Sequence, residues 1–164
     1  MRRIQKFIAL AAVAALSLSA LAPVVSAKPA KRNIVQTAVA AGQFKTLTKL
    51  VKQAGLAGAL QAKGPFTVFA PTDAAFAKVP KATLQALAKN KAKLRAVLLY
   101  HVVKGKLTAA RVVKLHSIKT LNGQSLKVRV CHGTVTVGGA RVITADIGAS
   151  NGVIHVINKV LIPR

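Results

Sequence analysis

FTVFAPTDAAF, residues 66–76, contains one of only two carboxylates in a chain of 164 residues, against 26 lysines and arginines. An acid kept in so basic a chain needs a reason. The first five residues are apolar at nearly every position, so they read as a strand buried on both faces. Pro71 has no N–H to donate and ends the ladder. Thr72 is then a good N-cap, and Asp73 opens a short helix, DAAFAKV. The first turn of a helix carries unpaired N–H groups and a partial positive charge, and a carboxylate there gains about 0.3–1 kcal/mol. Capping explains Asp73 without catalysis. The alternative, a general acid or base, needs a partner carboxylate, a histidine or a metal cluster, and none is near in sequence.

Outward from this stretch the pattern changes once. From Asn33 to about Val113 the apolar spacing is mostly helical. Phe44, Leu47, Leu50, Val51 and Ala54 form one stripe, with Lys45, Lys49 and Lys52 on another face and Gly42 and Gly55 as brackets. A second helical region, Lys81 to His101, divides into KATLQALAKN and KAKLRAVLLYH. Leu84, Leu87 and Ala88 face the core in one; Leu94, Val97 and Leu98 do so in the other. TAARVVKL reads as a further short helix. From Ser117 the period drops to two. Leu126, Val128 and Val130 alternate with Lys127 and Arg129, a half-buried strand that follows the Asn122-Gly123 turn. Two more strands flank Gly138-Gly139, and GVIHVINKVLI supplies the last strands. Helices first and strands later give an α+β fold.

Residues 1–27 read as a secretory signal peptide. Arg2, Arg3 and Lys6 precede an apolar run, Phe7 to Leu18, and Val25-Ser26-Ala27 suits signal peptidase. A membrane anchor is the weaker reading, because a spanning helix needs about 20 apolar residues and Pro23 interrupts this stretch. Residues 28–32, KPAKR, form a basic leader. Removing the three cations of the signal lowers the formal charge from +24 to +21. Such a surface concentrates near polyanions, and export narrows these to anionic polysaccharide, lipid headgroups, cell-wall polymers or extracellular DNA. The single Cys131 cannot form an internal disulfide and reads as a quiet thiol. Motifs for acyl transfer, dinucleotides, phosphate loops and zinc hydrolases are missing. The four histidines lack ligand spacing, so no metal or cofactor is expected. His155, in the apolar run VIHVI, reads as a hydrogen-bonded core residue.

Four blocks together resemble the fasciclin-domain family. GPFTVFAPTDAAFAKVP is similar to its first signature and ADIGASNGVIHVINKVLIP, residues 145–163, to its second. LLYHVVKGKLTAARV and IKTLNGQSLKV lie between them in the family's order. The resemblance covers residues 33–163 and implies a bundle of short helices packed against a β-wedge of two sheets. It marks Thr72, Asp73, Asp146, Asn151, Gly152, His155, Asn158 and Pro163 as structural motif positions. Asp146 and Asn151-Gly152 would lie in a turn, where Asn and Gly tolerate positive φ and an Asp side chain bonds nearby N–H groups. Asn158 stands where the family usually has Asp. In animal members a Tyr-His pair among branched apolar residues is associated with integrin binding, and AVLLYHVV matches it at Leu98, Leu99, Tyr100, His101, Val102 and Val103. The same residues also suit a core at a helix-to-strand junction.

The expected function is a secreted, non-enzymatic module for adhesion or matrix interaction, whose partner is a cell-surface or matrix protein or an anionic polysaccharide. The alternative is a polyanion-binding protein acting through charge, an anionic membrane surface included. Lys89, Lys91, Lys93 and Arg95 are the densest cations. Aromatic residues are only 4% with no Trp, which argues against base stacking and sequence-specific nucleic-acid recognition.

Overall fold

The computed structural model describes residues 32–163. The expected signal peptide, the leader before Arg32, and Arg164 lie outside the described residues. The first helix, α1 (Ile34–Ala41), starts in a capping box: Asn33 accepts from the Gln36 N–H, and the Gln36 side chain accepts from the Asn33 N–H. Gly42, at φ 70°, ends it in the left-handed conformation. Then follow α2 (Lys45–Gln53) and α3 (Ala57–Gln61), β1 (Phe66–Pro71), α4 (Asp73–Ala77), α5 (Lys81–Lys89), α6 (Lys91–Tyr100), β2 (Val102–Lys104) and α7 (Ala109–Val112). Five strands complete the chain: β3 (Ser117–Lys119), β4 (Ser125–Cys131), β5 (Thr134–Val137), β6 (Ala140–Ala149) and β7 (Gly152–Ile157).

The strands hydrogen-bond in the order β2-β1-β7-β6-β5-β4-β3. β1 and β7 run parallel, with Phe66 opposite Gly152 and Phe69 opposite His155, and the other pairs are antiparallel. Beyond β3 the Leu121 N–H donates to the Val102 carbonyl at 2.8 Å. This bond ties the two ends of the series and nearly closes it into a barrel. β6 is the bend of the wedge. It pairs with β5 through Ala140 and Arg141, then with β7 from Val142 onward, with irregularities on either side of Thr144.

β1 and β7 lie between two cores, which is why both are apolar on successive residues. Val68, Ala70, Ile154 and Val156 face the helices, together with Leu47, Leu94 and Leu98. Phe69 and Ile157 face the other way, into a core with Val103, Leu126, Val137 and Leu161. The α+β class, the double burial of FTVFA and the Thr72 cap all stand as read from the sequence.

Two details differ. Leu84 and Leu87 pack only partly buried against the first core, and α5 has no buried residue. The C-terminal stretch makes one strand, not several, because the Leu161 N–H bonds the His101 ring instead of a neighbouring strand.

Candidate functional site

Asp73 does cap a helix, but not its own. Thr72 accepts from Ala75 at the start of α4. The Asp73 carboxylate crosses to α2, whose own N-cap, Phe44, offers no side-chain oxygen. There Oδ1 accepts from the Thr46 N–H at 2.8 Å and Oδ2 from the Lys45 N–H at 3.2 Å. Burial pushes the Asp73 carboxyl up, but the Thr46 N–H and hydroxyl, the Lys45 N–H and the Lys45 charge outweigh it and hold it below the ordinary value. Asp73→Asn leaves one oxygen for two donors and should cost about 1 kcal/mol. Thr72→Ala should cost roughly 0.5–2 kcal/mol. Denaturant melts of both variants check the two caps separately.

The second acid works the same way. Asp146 Oδ1 accepts from the Ala109 N–H at 2.8 Å, capping α7, where Thr108 makes no side-chain cap. This corrects the expectation of bonds to nearby backbone, since the acceptor and donor are 37 residues apart. Asp146, not Asn151, takes the positive φ, at 59°. Asn151 instead ties two helices to the turn before β7. Its Oδ1 accepts from Ile34 N–H, and its Nδ2 donates to the carbonyls of Leu60 and Ala62. It therefore serves the start of α1 and the end of α3 together. Gly152 is buried against β1. Asn158 Oδ1 accepts from Arg141 N–H, and its own N–H donates back to the Arg141 carbonyl. An amide oxygen meets this demand, so the departure from Asp leaves the bond intact. Pro163 is half-buried at the end of the described chain.

Two histidines are fixed as neutral rings. His155 Nε2 must donate to the Leu107 carbonyl at 2.7 Å, which leaves Nδ1 to accept from the Asp146 N–H. Its ring stacks on Phe69 with centroids 5.5 Å apart. His101 uses the opposite tautomer: Nδ1 donates to the Val97 carbonyl at 2.8 Å and Nε2 accepts from the Leu161 N–H at 2.9 Å. Its burial, opposed by the Val97 bond, lowers its pKa to about 4. Among the described residues no cluster of three His, Cys, Asp or Glu side chains could hold a metal. Cys131 is exposed and free.

The Tyr-His segment lies at the end of α6. Leu98, His101, Val102 and Val103 are buried. Leu99 and Tyr100 are half-buried, one against each core. The four densest cations are exposed but do not share one face. Lys89 ends α5; on α6, Lys91 and Arg95 lie close in azimuth, while Lys93 points away. Reading the sequence missed the capping roles of Asn33 and Asn90, although Asn33-x-x-Gln36 is a legible capping box. It also missed Thr67, whose hydroxyl donates to the Gly105 carbonyl and accepts from the Leu107 N–H.

The family model for the fasciclin domain matches residues 42–163. The chain belongs to the fasciclin-domain family. This fasciclin domain is similar to protein sll1483 of Synechocystis sp., with 50% identity over 133 residues that cover 80% of this chain and 73% of that one. It is 37% identical to immunogenic protein MPB70 of Mycobacterium bovis, over 77% of this chain and 68% of that one. Human periostin is 34% identical over 64% of this chain, a match that spans 13% of periostin. Among solved structures, a FAS1 domain pair from the insect cell adhesion molecule Fasciclin I superposes with a TM-score of 0.60 at 22% identity, over 74% of this chain and 46% of that chain. That likeness is one of fold. No helix among the described residues is long and apolar enough to cross a membrane.

Proposed function

We propose that this fasciclin domain is a non-enzymatic adhesion or matrix-interaction module that acts outside the cell. The observation that carries the reading is membership of a family whose fold is shared with a cell adhesion molecule. Export rests on residues 1–27 acting as a cleaved signal peptide. N-terminal sequencing of secreted material should then begin at Lys28, and a retained Met1 would contradict it.

A second reading, recognition of an anionic partner by charge, is favoured by a specific feature. Both carboxylates are spent on backbone N–H groups of α2 and α7. The exposed lysines and arginines are left with almost no internal counter-charge, so an outside anion gains the full field of the surface. Lys89, Lys91, Lys93 and Arg95 contribute to that field, and Leu99 and Tyr100 offer the accessible part of the Tyr-His segment. Cell attachment to immobilised protein tests both readings. Changing the four cations to Gln should weaken attachment through charge. Tyr100→Phe should weaken it only if the segment is recognised, and circular dichroism must show that each variant is folded. Attachment unchanged in all folded variants would remove both groups from the site.

A further inference from the structure

The first core is not completely filled. A cavity of about 100 Å3 lies between the sheet and the helices α1, α2, α3 and α6. Apart from Thr48 and His101, its walls are hydrocarbon side chains. The His101 ring is already bonded on both nitrogens. A buried water needs two to four polar partners, so the cavity has little to hold one, and dry apolar cavities of comparable size accept small hydrocarbons.

Outside this cavity, between α1 and α2, runs a surface groove of about 340 Å3. It is lined by Lys45, Lys49, Lys52, the exposed Val39, and Phe44. Ala38 and Thr48 are walls of both spaces, so two small side chains stand between the groove and the cavity. The three lysines repeat at i, i+4 and i+7 along the outer face of α2. Asp73 stands beside Lys45 at the start of the helix. Lys49 and Lys52 lie further along, away from that acid. Cations at the rim and hydrocarbon behind them call for a ligand with one anionic end and one aliphatic end.

We propose that this site binds a single-chain anionic amphiphile of the fatty-acid type. Its carboxylate sits on Lys49 and Lys52, and its chain lies along Val39 and passes between Ala38 and Thr48 into the cavity. Binding needs no covalent step. It does not depend on the adhesion reading, because the groove and cavity stand on their own geometry.

Calorimetric titration of the purified protein with dodecanoate, below its micellar concentration, tests the site. Affinity should rise about fourfold for each methylene added over the part of the chain that is buried. Lys49→Gln with Lys52→Gln, both exposed and safe for folding, should weaken dodecanoate about thirtyfold and leave neutral dodecanol unchanged. Ala38→Phe should block both ligands while a thermal melt shows the fold retained; if that variant fails to fold, the methylene series and the lysine pair still decide. No binding of dodecanoate, or binding indifferent to chain length and to both lysines, overturns the proposal. Capture of phosphatidylglycerol vesicles without binding of monomeric dodecanoate also overturns it, in favour of a purely charged membrane contact.

Discussion

Acidification from pH 6.5 to pH 4 is expected to remove about 3 kcal/mol of folding stability through His101 alone. The ring is 2% exposed and neutral, with Nε2 needed as an acceptor for the Leu161 N–H. Protonation would put two N–H groups where the structure supplies one donor and one acceptor. It would also place a charge in an apolar core. The folded value lies near 4 and the unfolded one near 6.5. The unfolded chain therefore binds the extra proton across that window, and stability rises with pH through it. It is complete above the unfolded value, and this group adds no further loss below the folded one. Asp73 acts in a lower window. Its folded carboxyl is depressed from 3.8, so its contribution is present above that value and is lost as pH falls through the depressed one. Urea melts at several pH values measure the sum. His101→Leu, which has no acceptor for the Leu161 N–H, should be less stable at neutral pH by about 1–3 kcal/mol, and its slope between pH 6.5 and 4 should be much flatter. Equal slopes in the two proteins would mean that the His101 ring is not held as described.

Gly152→Ala is expected to cost about 3–5 kcal/mol, in the range that marks backbone collision or core disruption. Gly152 opens β7 opposite Phe66 in the parallel pair. A Cβ there would run into the Phe66 carbonyl oxygen, with Ile34 Cδ1 only 2.9 Å away. The obstacle is paired backbone between buried strands, which cannot step aside without separating β1 from β7. Gly148, on β6, provides the control: a Cβ there meets nothing within 4 Å. Gly148→Ala should change stability by less than about 1 kcal/mol. Thermal melts of the two variants side by side check the register. Comparable melting temperatures would contradict the Phe66–Gly152 pairing.

Legibility in the sequence followed the range of the interaction. FTVFA could be read as a doubly buried strand because Val68 and Ala70 meet one core and Phe69 the other. Thr72 could be read as a cap because its donor, Ala75, is three residues away. The destination of Asp73 could not. Its donors, on α2, lie 27 and 28 residues back, and a local rule assigns an acid at the first helical position to its own helix. Asp146 and Asn151 went unread for the same reason, each serving helices far off in sequence. The basic quartet was dense along the chain, yet the turn between α5 and α6 and the helical repeat spread it around the surface. The cavity has no linear signal at all, since it arises from how side chains of several elements fail to fill one space.

What the capping acids leave behind is a surface of uncompensated cations, and the salt dependence of attachment tests that claim most directly. Binding of the purified protein to an immobilised anionic polysaccharide should fall log-linearly as salt is raised, as expected when cations displace condensed counterions. Replacing Lys89, Lys91, Lys93 and Arg95 with Gln should make that slope shallower. Affinity that holds constant as salt rises, in the wild-type protein and the variant alike, would contradict recognition by charge and leave the apolar contacts of the fasciclin domain as the adhesive surface.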